Sequence, residues 1–514
     1  MHSSPTYRKW VYPACNFLMN ILLVGGTFVA NMDKSRTKLE SLRSSVVDFI
    51  HATLHNSGHK VTMFNGGDYK ELQTIIQFCD CYDVVFWWPN VTDNTLPKIR
   101  DVKEIAPHVM LVTSKRNDGD RYSFIELTQH ALARKANLTF EFKKVNVEIR
   151  PGRIEPLFKI RVFDPLGCEW YNGIDTCRAT LAAMERLEYL RSITRQKTIQ
   201  STTDKNLVLA WYFDQFKQPA QQSDRKVDIP DENQFVKIVR TYAERFYEIM
   251  NPGKDIKRFL GNASMRPLPP QVGRCSRGMP SFKAGNYVFV SQRNIDKQFI
   301  DLEHFVPCYM EDDKLYYCGE NKPSVDAPIQ LRLYDALPNI RYIIHSHCYI
   351  DGATFTRKSI PCGAIEEVDE VLSLIDEFVG GRNLYLYTIN LKGHGSLLMA
   401  SDIALLQGIS YIGRDMPEPM YEFMDETDAN IKIVEEPRKK PAELPVWNIP
   451  VQWTMEGIMS IAAPTLKEAI NLTYEIDKPL EKGEYVEESF GPSDDINLDR
   501  IRKDYNGNRH DMEY

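Results

Sequence analysis

Between Met19 and about residue 145, short apolar runs alternate with segments of helical period: Ile21–Val24, a helix around Leu39–Leu54, Lys60–Phe64, a helix around Leu72–Phe78, Val84–Trp88, Val109–Thr113, a helix around Phe124–Ala136 and Leu138–Phe142. Strands separated by single helices need crossover connections, so this alternation restricts the segment to a parallel sheet with helices on both faces. The ligand site of such a sheet lies at the carboxyl ends of its strands. Here that position holds Gly25, Gly26 and Thr27, which are expected to form an N-terminal ligand-binding turn, with Asn65-Gly66-Gly67, Trp88-Pro89-Asn90 and Thr113–Arg116 beside it. No full G-x-G-x-x-G follows the first strand, so the expectation rests on position alone. Ser114-Lys115-Arg116 reads sooner as a solvated basic turn than as an anion clamp, and at least one of Trp87 and Trp88 reads as core.

At 514 residues the chain is too long for one core, which stops growing near ~250–300 residues. The expected division is an N-terminal extension at 1–18, a Rossmann-like α/β domain at 19–195, a polar linker at 196–232, a second domain at 233–415, a charged, proline-punctuated linker at 416–445 and a small C-terminal α+β module at 446–514. The last is read as a strand at Trp447–Trp453 and a helix at Thr465–Tyr474. Residues 8–31 open with Arg8 and Lys9 and turn apolar, but Pro13, Asn16, Asn20 and Gly25-Gly26 interrupt the run, so a buried first strand is the better reading than a signal peptide. No stretch has the uninterrupted apolar length of a membrane span. A net charge of −7 and a pI near 6.0 give no basic field for nucleic acid. Ten cysteines without a zinc-ribbon spacing, in a chain that does not need staples, point to reduced thiols and a cytoplasmic setting.

The strongest chemistry lies in the run from Ile340 to His347, an apolar strand ending in His345-Ser346-His347. Side chains two apart on a strand point the same way, so both imidazoles can reach one ion. A third histidine stands at Gly393-His394-Gly395 after the strand-like run Leu384–Leu391, with glycines that permit close approach to a neighbouring strand. A lone buried histidine is usually a satisfied core residue; three at strand ends suit a divalent metal, zinc first, with positions left for substrate oxygens. Such an ion polarises a carbonyl and stabilises an enediolate.

These residues carry a resemblance. Lys322-Pro323-Ser324-Val325-Asp326-Ala327-Pro328, the helix Ile329–Leu337, His345-Ser346-His347, Ile360-Pro361-Cys362-Gly363 and Gly393-His394-Gly395 resemble, in order and spacing over residues 235–415, the class II aldolase/adducin family. The resemblance implies an α/β/α sandwich around a largely antiparallel sheet, a homo-oligomer, usually a tetramer, and a metal-dependent lyase or epimerase acting on a sugar phosphate through a metal-stabilised enediolate. By the same resemblance His345, His347 and His394 hold the metal. Asp326 stands where the aldolases carry a catalytic glutamate and the 4-epimerases an aspartate, although a helix N-cap also accounts for it. Asp369 falls near the epimerases' second acid, with Glu366 and Glu367 on the same helix start; Asp369 and Glu366 are the expected partners.

The expected phosphate set is Gly261, Asn262 and Ser264, with Arg293 and Ser324 where the family has a Thr-Gly loop and a Ser-Ser pair. The late tyrosine acid has only Tyr411 and Tyr421 as candidates. Two other readings follow from the sequence: a fusion whose N-terminal domain binds or cleaves a nucleotide or nucleoside, and a non-catalytic, adducin-like oligomerisation module.

Overall fold

The computed structural model describes residues 18–30, 41–91, 98–150, 152–209, 232–250, 261–266 and 287–421, together with short strands at Lys432–Val434, Val451–Gln452, Met455–Gly457, Gly483–Tyr485 and Gly491–Pro492. The expected extension before Leu18 and the helix at 465–474 lie outside the described residues.

In the first sheet, Lys60–Asp68, Asn20–Val29, Val84–Trp87, Met110–Arg116 and Leu138–Arg150 lie side by side in that order, all parallel. The sheet then turns antiparallel through Arg153–Phe163 and Cys168–Gly173. Alternate side chains of the first strand enter different layers: Ile21 and Leu23 pack with Val47, Ile50, Ala183 and Leu187, while Leu22 and Val24 pack with Leu72, Ile76 and Val102. Burial on both faces is why its sequence is continuously apolar rather than alternating. Several helix starts are fixed locally. Asp68 accepts from Lys70 N at the head of Tyr69–Gln77, Ser123 and Glu126 form a capping box on Phe124–Ala133, and Asp175 accepts from Cys177 N and Arg178 N at the head of Thr176–Ser192. The seven-residue helix Ile99–Ile105 has no counterpart in the sequence reading.

The expected turn at Gly25–Thr27 is a correction, because the strand continues through it to Val29. Gly25 pairs with Asn65 and Phe28 with Gly67, with the register shifting between them. Gly26 has φ +74°, and a Cβ there would stand 2.5 Å from Gly66 N, while one on Gly25 would meet Val47 Cγ2 at 2.6 Å. Close packing therefore explains both glycines. Trp87 and Trp88 are both core. Lys115 lies over the Tyr122 ring and Arg116 pairs with Asp118, in keeping with a surface role.

The second sheet runs Thr354–Phe355, Leu386–Leu391, Gly395–Ala400, Tyr342–Ser346, Asn262–Met265, Val288–Ser291, Phe305–Glu311, Lys314–Tyr317 and Thr198–Gln200. Its interior pairings are antiparallel and its two outermost pairings parallel. One face packs on Ala327–Ala336 and Glu366–Leu374 through Ile329, Leu333, Val371 and Leu374. The other packs on Glu232–Met250 through Phe235, Val239 and Tyr242. Ile343 faces the first layer and Tyr342 and Ile344 the second, which makes an α/β/α sandwich.

Described parts of the two polar stretches read as linkers belong to the sheets. Thr198–Gln200 is an edge strand of the second sheet, and Val208 is buried with Phe235. Beyond residue 415 the chain returns to the first sheet, where Glu418–Pro419 pairs with Cys168–Glu169 and Lys432–Val434 with Asn146–Glu148. Among the described residues no helix is long and apolar enough to cross a membrane.

Candidate metal centre

Two neighbouring antiparallel strands build the site. Tyr342–Ser346 carries His345 at its last turn inward and His347 just beyond, and the antiparallel Gly395–Ala400 brings His394 alongside. The approach is too close for a side chain at 395, since a Cβ on Gly395 would stand 1.9 Å from Ser346 O. The glycine flanking the third histidine thus has the steric reason its sequence position implied. The three rings meet with centroids 5.2 Å apart for His345 and His347, 4.7 Å for His345 and His394, and 5.2 Å for His347 and His394. One nitrogen from each lies within 4.8 Å of the others, and all three residues are buried.

The hydrogen bonds fix which nitrogens face inward. His345 Nδ1 donates to Ser396 O at 3.0 Å, and a carbonyl can only accept, so its Nε2 carries the lone pair. His394 Nδ1 donates to Glu367 Oε2 at 2.9 Å, leaving Nε2 to the centre beside Cys362 Sγ, 3.1 Å away. His345 Nε2 and His347 Nδ1 are buried without a protein partner. Buried polar atoms are nearly always satisfied, so two orphaned nitrogens converging with a third are a donor set that fits a divalent ion.

Electrostatics agree for two of the rings. Burial, helped by His394, pulls the His345 imidazole down to about 4, and burial, helped by His345 and His394, pulls His347 well below the ordinary value, so both are neutral and able to donate lone pairs. Burial acts downward on His394 too, but Cys362 and Glu367 outweigh it and hold that ring's proton. Burial pushes the Glu367 carboxyl up while His394 pulls it back, as in a carboxylate that orients a ligating imidazole.

Asp326 is buried at the head of the helix Ala327–Ala336, yet its carboxylate makes no capping bond. Oδ2 accepts from Asn262 Nδ2 at 2.8 Å and Oδ1 from Gly363 N at 2.9 Å. Its charge acts on His345, Glu367 and Lys297, so the N-cap reading does not account for its position. Of the two acids expected on the next helix, Asp369 is exposed and Glu366 accepts from Thr194 N. The carboxylate that reaches the cluster is Glu367, one residue from the expected position, because helical phase turns it inward.

The expected phosphate set is dispersed. Gly261 and Asn262 line a cleft with His345 and His347. Ser264 Oγ is buried against Tyr334 Oη at 3.0 Å, and Arg293 Nε donates to Pro323 O at 3.2 Å. Ser324 Oγ accepts from Asp326 N at 3.4 Å. Tyr411 is packed among Tyr242 and Phe246, and Tyr421 donates to Glu169. Neither reaches the histidines through any hydrogen bond. Sequence reading missed Arg414, whose buried guanidinium donates to Gly393 O and His394 O and pairs with Glu418. Tyr349 Oη accepts from Gly393 N and donates to Glu418, and Cys168 Sγ donates to Gly393 O at 2.8 Å. Together these groups, with Cys168 and Glu418 from the first sheet, hold the turn that presents His394.

Residues 256–378 match the family model of the class II aldolase and adducin N-terminal domain. No curated protein matches the chain. Among solved structures, the DNA/pantothenate metabolism flavoprotein from Streptococcus pneumoniae is similar at 12% identity and a TM-score of 0.26, over 34% of this chain and 99% of that one. YgbL from Klebsiella pneumoniae, described as a candidate aldolase/epimerase/decarboxylase, is similar at 11% identity and a TM-score of 0.21, over 33% of this chain and 82% of that one. An L-fuculose 1-phosphate aldolase is similar at 15% identity and a TM-score of 0.24, over 35% of this chain and 82% of that one. The matched stretch contains Asn262, Asp326, His345 and His347, and through residues 256–378 the chain carries a class II aldolase and adducin N-terminal domain.

Proposed function

We propose that the chain is a metal-dependent lyase or epimerase acting on a sugar phosphate, with His345, His347 and His394 as ligands of a zinc-like divalent ion. The observation that carries this reading is the convergence of three buried imidazoles, two with orphaned nitrogens, within 4.8 Å. An ion bound there supplies Lewis acidity, polarising a carbonyl and offsetting the charge that develops as an adjacent bond is cut. Asp326 is the acid–base carboxylate, fixed by Asn262 and Gly363. Glu367 orients His394. Gly261 and Asn262 lie on the substrate side.

We assign the catalytic unit to residues 233–415 with the strand Thr198–Gln200 added, and the first unit to 19–195. A silent, adducin-like role would leave no reason to bury two unsatisfied imidazole nitrogens, which cost free energy without a ligand. A homo-oligomer in the cytoplasm completes the reading. The test is elemental analysis of the purified full chain, followed by proton magnetic resonance of a panel of ketose phosphates in heavy water. Bound metal with exchange of a proton beside a carbonyl, or release of a two- or three-carbon fragment, supports the reading; a metal-free protein inert to the whole panel sinks it.

A further inference from the structure

Two turns close the centre. The one at 359–366 presents Gly363 N to Asp326 and Cys362 Sγ to His394, and the one at 393 presents His394 itself. They nearly touch, since a Cβ on Gly393 would stand 2.9 Å from Ser359 Oγ and 2.8 Å from Cys168 Sγ. Both turns are also tied to the first sheet and to the helix Thr176–Ser192 that packs on it. Cys168 Sγ donates to Gly393 O at 2.8 Å, and Arg186 Nη1 of that helix donates to Ser359 O at 2.9 Å. Just beyond the helix, Thr194 O accepts from Ile365 N at 3.1 Å and Thr194 N donates to Glu366 Oε1 at 2.7 Å, next to the Glu367 that holds His394.

Arg186 joins the two attachments. Its guanidinium is buried, lies 4.2 Å over the Trp170 ring and stands 3.9 Å from Asp164 Oδ2, while Asp164 Oδ1 accepts from Cys168 N at 3.1 Å. One chain of contacts thus leaves the second sheet at Ser359, passes through Arg186, Asp164 and Cys168, and returns at Gly393. Arg414 grips the same turn from the other side, donating to Gly393 O and His394 O. Burying a guanidinium is costly, and well-packed apolar side chains join two layers at lower cost. A planar fork that serves a carbonyl, a carboxylate and an aromatic face together fixes where each of them stands. A charge spent in this way on the backbone of the centre's own turn points to placement rather than adhesion.

We propose that Arg186 is a positioning residue of the metal centre. Through Ser359, and through Asp164 and Cys168, it sets the spacing of the turns at 359–366 and 393, so that the first sheet is a working part of the centre and metal affinity depends on it. This role rests on the metal-dependent reading of the three histidines. Binding linkage is reciprocal, so metal held by the histidines stabilises the attachment to the first sheet by the same factor.

The experiment is zinc competition with a chromophoric chelator on the full chain, for the wild type, Arg186→Met and Leu72→Ala, with a thermal melt of each. Arg186→Met keeps an apolar stem over Trp170 and removes the donors. Leu72→Ala opens a cavity on the opposite face of the first sheet and controls for a plain loss of stability. Zinc affinity should fall by at least about fivefold in Arg186→Met and stay at the wild-type value in Leu72→Ala, although both melt lower. Equal affinity in wild type and Arg186→Met overturns the role, and so does an equal loss in both variants. Should Arg186→Met fail to fold, amide exchange of the wild type with and without zinc replaces it. Slower exchange at 164–169 on zinc binding, with exchange at the far edge strand Lys60–Phe64 unchanged, supports the role; no slowing at 164–169, or equal slowing at both, overturns it. A wild type that takes up no zinc sinks the lyase reading and this role with it, whereas zinc held equally by wild type and Arg186→Met sinks the role alone.

Discussion

Among the described residues the first sheet buries one histidine and the second buries three, and their surroundings differ in kind. His59 accepts from Met19 N at 3.3 Å and stands 3.8 Å from Glu188. It is a satisfied core residue that ties a strand to a helix. His345 and His347 each keep a buried nitrogen that no protein atom serves. The same contrast holds for glycine. Gly25 and Gly26 are used up by contacts to Val47 and Gly66 within the first sheet, whereas Gly395 lets a strand close up so that His394 can join the other two rings. Residue type and position at a strand end are therefore weaker guides to a site than polar atoms left over once the fold has taken what it needs.

The largest expected effect breaks that contrast directly. The double variant His345→Ala with His347→Ala should take metal from roughly one ion per chain to none, because a single imidazole does not hold zinc in water. His59→Ala should leave metal content unchanged and cost ~1 kcal/mol or somewhat more of stability. Elemental analysis and thermal melts of the three proteins decide it; full metal retention in the double variant removes the centre.

Next in size is Asp326→Asn. Both carboxylate oxygens now accept, one from Asn262 Nδ2 and one from Gly363 N, and an amide can accept only at its oxygen. A stability loss of ~1–3 kcal/mol is expected from the unmatched donor, with turnover falling by ~10²–10⁴ and metal retained. Near-normal turnover with metal bound would reduce Asp326 to a structural link between two loops.

Glu367→Gln sharpens the placement of the second carboxylate. The amide oxygen can still accept from His394 Nδ1, but without the charge, and loss of such a partner typically weakens metal affinity by ~10–100-fold. Glu366→Gln and Asp369→Asn should leave affinity unchanged, since the first serves Thr194 N and the second is exposed. Competition with a chromophoric chelator measures all three. Equal effects at 366 and 367 would remove the special role of 367.

These comparisons also mark what the sequence made legible. The first sheet was readable because burial on both faces turns its strands into continuous apolar runs, as in Ile21–Val24 and Val84–Trp87. The three histidines were readable because period-2 spacing and flanking glycines are local signals. Glu367 was not separable from Glu366 and Asp369, because all three sit in the first turn of one helix and only its docking decides which faces in. Thr198–Gln200 and Glu418–Pro419 lie in polar, low-periodicity stretches and become strands only because a sheet edge awaits them. Lys297 and Arg414 owe their burial to distant segments, which no local pattern encodes.

The smallest expected effect returns to His59 and tests whether it is the ordinary residue the comparison makes it. Burial lowers its pKa below the ordinary value of 6.5, so the folded state binds a proton less readily than the unfolded chain. Stability supplied by the neutral ring is therefore complete above pH 6.5 and is lost as the pH falls below that value, at no more than about 1.4 kcal/mol per pH unit for one proton. Glu188, 3.8 Å away, is itself pushed up by burial and by Glu185. In His59→Gln this source of acid sensitivity is gone. The gap in melting temperature between the wild type and His59→Gln should be widest at pH 7.5 and narrow by pH 5.5. A gap that stays constant or widens on acidification would mean that Glu188 pairs with the charged ring, and that His59 is not the passive core histidine against which the other three stand out.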